Sequence, residues 1–184
     1  MSETNQSASP DAKVLIQTEI LRQRLQGVAT QINGDYAGRE IDVVCLTNSA
    51  MIFTADLMRI LEVPARLHML AFTSYSPAPT NGEVRLTLDV AEPLEGRHVL
   101  VMEGMVISGR TPLYLMNLLR LRQPASLELC AIGSKPSELT VDLPIKYRLF
   151  EFGKEWVAGY GIGHGAEKAS ADLLDIFTAQ TGRR

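Results

Sequence analysis

The chain has 184 residues, of which 46% are hydrophobic and 21% are charged, a composition typical of one soluble globular domain. Its formal net charge of −3 argues against a general nucleic-acid binder, which presents a basic face. No apolar run reaches the roughly 20 residues that span a bilayer. We therefore expect neither a nucleic-acid partner nor a membrane partner.

The first segment of the chain is polar. Residues 1–12, MSETNQSASPDA, lack the basic and apolar regions of a signal peptide, so we expect a disordered tail followed by a single domain over residues 13–184. Cys45 and Cys130 both lie in apolar runs, which predicts two buried free thiols and a cytoplasmic location, where thiols stay reduced. The histidines lack the spacing of metal ligands; they are His68, His98 and His164.

The first part of the domain predicts alternating helices and strands. Apolar residues at helical spacing predict a helix over residues 18–36, and the β-branched run 41–46 predicts a buried strand. Residues 49–61 have helical spacing that stops before a proline, and residues 65–72 read as a second strand. The polar stretch TSYSPAPTNGE at 73–83 predicts a mobile functional loop, which forms a hairpin with a strand over 84–90.

The second part continues this pattern. Strands are expected over 98–102, 126–132 and 145–150, and helices over 111–122 and about 170–181. Thr111 is the expected N-cap of the first of these helices, with Pro112 at its first position. This β-α-β order predicts an α/β fold in which helices flank a central, mostly parallel sheet.

The turn that joins the strand at 98–102 to the next helix is the strongest local signal. Its residues are Ser108, Gly109, Arg110 and Thr111. A strand, a small-residue turn and a helix start direct backbone N–H groups and the positive end of the helix at one point, which suits an anion. The alternative is structural: Thr111 caps the helix and Gly109 makes the turn.

Two further segments have both a functional and a structural interpretation. Lys135 follows a strand end, where parallel sheets bind ligands, although a lysine at such a position is commonly on the surface. Trp156-Val157 and Gly159-Tyr160-Gly161 either pack in the core at a turn or present an aromatic ring and backbone groups to a planar ligand.

Taken together, these segments resemble the hypoxanthine-guanine phosphoribosyltransferase family over residues 13–165. The shared motifs occur in order: VLI at 14–16, FTADLMRILEVP at 53–64, TSY at 73–75, GEV at 82–84, LEGRHVLVMEGMVISGRTPLYL at 94–115, SKP at 134–136, VDLPIKYRLFEF at 141–152 and WVAGYGIGH at 156–164. The resemblance implies a phosphoribosyltransferase (type I) fold with a small hood over the purine. It also implies magnesium-dependent transfer of ribose 5-phosphate from phosphoribosyl diphosphate (PRPP) to N9 of a purine base, in a homodimer or homotetramer.

The resemblance also implies roles for the residues described above. The turn 108–111 would hold the 5-phosphate. Lys135 would contact O6 of the purine, Trp156 would stack on its ring, and Val157 would offer a backbone contact. The flexible loop that closes over the reacting centre would contain Ser74 and Tyr75.

The chain departs from the family where the family handles metal and diphosphate. Two adjacent acids at the end of the central strand are Glu103-Gly104 here, which leaves Glu103 as the candidate catalytic residue. The aspartate that begins the phosphate loop in the family is Ile107, and the magnesium-binding aspartate after the Gly-Tyr turn is Gly163. The lysine of the diphosphate loop is missing from Leu46-Thr47-Asn48.

These departures share one chemical theme. Magnesium prefers hard oxygen ligands and diphosphate needs cationic partners, whereas glycine and isoleucine offer neither. An arginine expected after Gly163 also has no counterpart in residues 165–173. We therefore expect binding of a purine nucleoside monophosphate with weak or lost transferase activity, and magnesium as a cofactor only in an active protein. The alternative is an active but divergent enzyme of purine salvage.

Overall fold

A computed structural model describes residues 13–46, 49–75, 83–163 and 174–178. These residues form a six-stranded sheet, a three-stranded sheet and three α-helices. In chain order the elements are β1 (Lys13–Ile16), α1 (Thr18–Asp35), β2 (Ile41–Leu46), α2 (Met51–Ile60), β3 (Ala65–Tyr75), β4 (Glu83–Leu88), β5 (His98–Val106), α3 (Arg110–Arg120), β6 (Ser126–Ser134), β7 (Tyr147–Glu151), β8 (Val157–Ala158) and β9 (Ile176–Thr178).

The larger sheet has the strand order β4-β3-β2-β5-β6-β7. The five strands from β3 to β7 in this order pair in parallel, and β4 pairs antiparallel with β3 at one edge. All six residues of β2 are buried, as expected for a parallel strand that is covered on both faces. The predicted mostly parallel sheet and the predicted β3–β4 hairpin are confirmed.

Helices cover both faces of this sheet and create two hydrophobic cores. α1 and α2 pack on one face, where β2 contributes Val43 and Cys45. α3 packs on the other face, where β2 contributes Val44 and Leu46. The alternation of side chains along the strand therefore supplies both cores. Cys45 and Cys130 are buried free thiols, as predicted.

The connections from β2 and β5 leave the sheet in opposite directions. β2 leads into α2 on the first face, while its neighbour β5 leads into α3 on the second face. This divergence opens a crevice outside the carboxyl ends of the two strands, and ligands of open α/β sheets bind in such a crevice. The ends of β2, β5 and β6 are therefore the candidate position of a functional site.

The smaller sheet, β1-β9-β8, is the hood that the resemblance predicted. The helix predicted over residues 170–181 is wrong for residues 176–178, which form strand β9. The sequence Ile-Phe-Thr there pairs with β1 on one side and with β8 on the other, and pairing on both sides outweighs a short helical pattern. The remaining residues of the predicted helix, apart from 174 and 175, lie outside the described ranges.

The predicted loop over residues 73–83 begins too early. β3 continues through Ser74 and Tyr75, which pair with Val84 and Glu83 of β4. Threonine and tyrosine, the residue types at positions 73 and 75, favour strands. The polar character of this stretch therefore did not indicate a loop. Residues 76–82 and the predicted tail at 1–12 lie outside the described residues. Among the helices that are described, none is both long enough and apolar enough to cross a membrane.

The hood is fastened to α1 through a carboxylate. The residue before α1, Gln17, provides no capping side chain. Instead, Asp175 accepts hydrogen bonds from the backbone N–H of Thr18 at 2.6 Å and from its Oγ1 at 2.5 Å. A carboxylate at this position pairs with an otherwise unpaired helix N–H and interacts favourably with the helix dipole.

We expect Asp175→Ala to lower the free energy of unfolding by about 1 to 2 kcal/mol, because the start of α1 loses its acceptor. Urea denaturation monitored by circular dichroism measures this loss. Asp142→Ala, at an exposed position in the segment before β7, is the control and should change the free energy by less than about 0.5 kcal/mol. Equal stabilities of the two variants would show that the contact does not fasten the hood.

Candidate functional site

The turn after β5 forms the start of a helix, where the Arg110 N–H donates to Ser108 Oγ at 3.4 Å. Gly109 has a φ of 76° and precedes the first residue of α3, Arg110. The N–H of Leu113 donates to the carbonyl of Gly109 at 3.0 Å, so the amides of Arg110 and Thr111 precede the first bond of the helix, and Pro112 has no N–H. These two amides and the positive end of the helix can bind a phosphate.

The predicted cap of this helix is wrong. Gly109 is the N-cap, so Thr111 is the second helical residue and Pro112 the third. The helix starts early because Gly109 adopts the left-handed conformation that turns the chain from β5 into α3. Proline is tolerated here because amides in the first helical turn need no intrahelical partner. The interpretation of Thr111 as a structural cap therefore fails.

The segment after β6 holds the turn in place. A side chain on Gly109 would lie 2.9 Å from Val141 and 3.1 Å from Leu139, so the turn needs glycine for space as well as for its backbone angle. The N–H of Thr140 donates to the carbonyl of Ser108 at 3.0 Å. Arg110 Nε donates to Oγ1 of Thr140 at 3.1 Å. The shape of the turn is therefore set before any anion binds.

Lys135 lies beside this turn and is buried, so its interpretation as a surface lysine is wrong. Its side chain is 4% exposed, and Nζ lies 3.3 Å from a carboxylate oxygen of Glu138. Nζ also lies 5.5 Å from the centre of the Trp156 ring, within the range of a cation–π contact. The backbone N–H of Lys135 donates to the carbonyl of Val106 at 2.9 Å, which joins the ends of β5 and β6.

Lys135 and Trp156 line a small cavity with mostly apolar walls. The lining residues are Met105, Ile107, Lys135, Trp156, Val157, Ile162 and Gly163. The cavity of about 20 Å³ has room for about one water molecule, so a planar ligand would have to displace side chains. Lys135 is the charged group of this lining, and Ile107 places a hydrocarbon where the family has an acid.

The Gly-Tyr-Gly segment at 159–161 has the first of its two predicted roles, packing in the core at a turn. Tyr160 is buried, and its hydroxyl donates to a carboxylate oxygen of Asp56 at 2.8 Å. A side chain on Gly159 would lie 2.1 Å from the carbonyl oxygen of Asp175. This segment therefore packs in the core, whereas Trp156 and Val157 line the cavity.

Glu103 is buried near the end of β5. One of its carboxylate oxygens accepts hydrogen bonds from the Gly104 N–H at 2.8 Å and from Ser49 Oγ at 3.1 Å. Burial raises the pKa of Glu103 to about 7, although these two hydrogen bonds oppose the rise. At neutral pH the carboxyl is therefore divided between its protonated and ionised forms.

Ser49 lies directly on Gly104. A side-chain carbon on Gly104 would lie 2.6 Å from the carbonyl oxygen of Ser49 and 2.7 Å from its Cβ. The position where the family has a second acid is therefore filled by the backbone of the segment that follows β2. Residues 47 and 48 of that segment lie outside the described residues.

The side chains at this site do not fit a protein-held magnesium ion. Gly104, Ile107 and Gly163 offer no side-chain oxygen, and Glu103 is covered by Ser49. Within residues 13–46, 49–75, 83–163 and 174–178, no three His, Cys, Asp or Glu side chains are grouped so as to hold a metal ion. Magnesium prefers six oxygen ligands, of which the protein usually supplies one or two carboxylates.

The structure brings most of the predicted site residues together. The turn at residues 108–111, the proposed phosphate turn, follows β5, and Lys135 follows the neighbouring strand β6. Trp156 and Val157 line the same cavity as Lys135. Ser74 and Tyr75 lie on β3, which is separated from β5 by β2. Two site residues, Ser49 and Met105, had no signal in the sequence because their roles depend on contacts between distant segments. Glu138 was also missed, although it lies only three positions after Lys135.

The chain is similar to known phosphoribosyltransferases. Residues 15–163 match the model of the phosphoribosyl transferase domain. The chain is 34% identical over 155 residues to a hypoxanthine phosphoribosyltransferase of Haemophilus influenzae, with 82% of this chain and 87% of the relative covered. It is 38% identical over 158 residues to a hypoxanthine-guanine phosphoribosyltransferase of Crithidia fasciculata, with 80% and 75% covered.

Solved structures agree with these sequence relatives. The chain is similar to a hypoxanthine-guanine phosphoribosyltransferase of Bacillus anthracis, with a TM-score of 0.83 at 29% identity and with 90% of this chain and 95% of that chain covered. It is also similar to a hypoxanthine phosphoribosyltransferase of Trypanosoma cruzi in a ternary complex with substrates, with a TM-score of 0.86 at 30% identity and with 92% and 95% covered.

The raised pKa of Glu103 predicts that stability falls as the pH rises. The pKa of Glu103 is about 7 in the folded protein, against an ordinary value of 4.5, so the stabilisation from its bound proton is complete below pH 4.5 and is lost as the pH rises to 7. Glu103→Gln keeps an acceptor but does not titrate. We therefore expect the unfolding free energy of Glu103→Gln, measured relative to that of the unmodified protein, to rise by up to about 3 kcal/mol between pH 5 and pH 8.

Denaturant unfolding from pH 5 to pH 8 measures this difference. Glu95→Gln, which removes an exposed acid before β5, is the control and should parallel the unmodified protein. If Glu103→Gln also paralleled it across this range, the Glu103 carboxyl would not be held protonated by burial.

Proposed function

The chain belongs to the hypoxanthine-guanine phosphoribosyltransferase family, and from this membership we propose that it binds a purine nucleoside monophosphate with little or no magnesium-dependent phosphoribosyl transfer. One observation carries the proposal. The phosphate turn and the Lys135–Trp156 cavity lie side by side at the ends of β5 and β6, while the positions of the family's acids hold Gly104, Ile107 and Gly163.

The proposed binding uses groups that need no metal ion. The 5-phosphate accepts hydrogen bonds from the amides of Arg110 and Thr111 and from the hydroxyls of Ser108 and Thr111. The purine displaces Met105 or Lys135 from the small cavity and stacks on Trp156. Lys135 then exchanges its contact with Glu138 for a carbonyl oxygen of the base.

The proposed weakness of catalysis follows from the chemistry of the transfer. The reaction must stabilise positive charge on the ribose, a departing diphosphate and a proton at the base. Ile107 neither donates nor accepts a proton, and Glu103 is covered by Ser49. Loss of one well-placed electrostatic or acid-base group typically costs about 10² to 10⁴ in rate, although losses within one unit do not simply multiply.

An active but divergent purine phosphoribosyltransferase is the second candidate, and Glu103 favours it. A buried carboxyl with a pKa of about 7 suits proton transfer at neutral pH. The relatives from Haemophilus influenzae and Crithidia fasciculata are both named as phosphoribosyltransferases. Under either candidate, a homodimer or homotetramer in the cytoplasm remains part of the proposal.

The two candidates differ in their response to ligand and substrate. Isothermal titration calorimetry without magnesium should detect binding of inosine or guanosine monophosphate. Nucleotide formation from hypoxanthine or guanine with PRPP and magnesium should be at least about 100-fold slower than for an active family member assayed in parallel. Turnover at the rate of the reference enzyme would establish the second candidate, and the absence of both binding and turnover would refute both.

Replacement of Thr111 tests the phosphate turn. Thr111→Val keeps the shape of the side chain and removes its hydroxyl, so we expect about tenfold weaker binding of inosine monophosphate. Inosine lacks the phosphate, and its affinity should not change. Thr30→Val, on the exposed side of α1, is the matched control. Equal affinities of the Thr111→Val and Thr30→Val proteins for the monophosphate would contradict the proposed phosphate site.

A further inference from the structure

Ser49, which lies between β2 and α2, is packed against two glycines. Besides its contact with Gly104, the carbonyl oxygen of Ser49 lies 3.3 Å from the place where a side-chain carbon on Gly161 would be. The Ser49 hydroxyl donates to Glu103 at 3.1 Å. Ser49 therefore lies between the end of β5 and the Gly-Tyr-Gly turn, where the missing side chain of Gly104 leaves room for its backbone and Gly161 packs closely against it.

This contact lies at the crevice created by the strand order. β2 and β5 are neighbours whose following helices lie on opposite faces of the sheet, and the space outside their carboxyl ends is the usual ligand-binding crevice. In this chain Ser49 occupies part of that space. The phosphate turn and the Lys135–Trp156 cavity lie on the β6 side of the crevice and do not include Ser49.

The groups at the closed part of the crevice repel a second anion. A ligand held at the phosphate turn and extended towards β2 would meet the backbone of Ser49, which covers the carboxyl of Glu103. The carbonyl oxygen of Ser49 and the Glu103 carboxyl behind it both disfavour a nearby diphosphate. The obstacle includes the backbone of Ser49, so it is removed only if that backbone moves.

We propose that Ser49 and Gly104 determine the specificity of the site, closing it to ribose compounds that carry a diphosphate while leaving it open to nucleoside monophosphates. This inference rests on the proposed function, because it assumes that a monophosphate occupies the phosphate turn. It adds the reason why that site discriminates between two ligands that share the ribose 5-phosphate. Gly104 acts by the absence of a side chain, since any Cβ there displaces Ser49.

A Gly104→Ala variant provides the sharpest test. Its Cβ pushes the backbone of Ser49 away from β5 and adds no charge, hydrogen bond or metal ligand. Gly27→Ala on α1, where an added Cβ has no neighbour within 4 Å, is the matched control. Calorimetry measures the dissociation constants of inosine monophosphate and of PRPP with magnesium for the three proteins, and circular dichroism compares their folding.

We expect the unmodified protein and the Gly27→Ala variant to bind the monophosphate at least about tenfold more tightly than PRPP. The Gly104→Ala variant should gain affinity for PRPP, so the ratio of the two dissociation constants should fall severalfold. An unchanged ratio in a folded Gly104→Ala protein overturns the inference. If that variant does not fold, the ratio in the unmodified protein decides: PRPP bound as tightly as the monophosphate overturns the inference and leaves the proposed function standing. Failure of the unmodified protein to bind the monophosphate overturns both.

Discussion

The pairing of β5 with β2 on one side and with β6 on the other positions the phosphate turn, Lys135 and Ser49. Val106 of β5 pairs with Ser134 of β6, so the phosphate turn and Lys135 leave the sheet from adjacent positions. Met102 of β5 pairs with Cys45 of β2, which brings the segment after β2 to the end of the same strand. A slip of one residue would turn each buried side chain to the opposite face and is disfavoured by both cores.

Because β2 and β5 are neighbours, replacement of the family's second acid by Gly104 changes the packing of the site as well as its charge. Gly104 has no Cβ, and the backbone of Ser49 occupies the space that a side chain would need. An aspartate introduced at position 104 would collide with that backbone before it could bind metal. The family's acid and the observed position of Ser49 are therefore mutually exclusive, so restoring the carboxylate also requires the neighbouring segment to move.

Sequence patterns predicted the parts of the site that depend on local order along the chain. The strand, turn and helix around residues 108–111 could be predicted because small residues and a following proline mark such a turn. The contact between Ser49 and Gly104 could not, because it joins segments about 55 positions apart in the chain and depends on strand order. The strand at 176–178 was missed for the same reason, since its pairing partners lie in β1 and β8.

The acidic side chains that are missing from the site would all have affected phosphate binding through their negative charge. Adjacent carboxylates beside a bound phosphate repel the phosphate and each other unless a metal ion compensates their charge. In this chain the remaining carboxyl, Glu103, has a pKa raised by burial to about 7, and the apolar side chain of Ile107 lines the base cavity. Removal of the other acids lowers the negative potential next to the helix start at Arg110. We infer that the same replacements would weaken metal-assisted transfer and favour phosphate binding without metal, so that the proposed loss of catalysis and the proposed retention of binding would have the same physical origin.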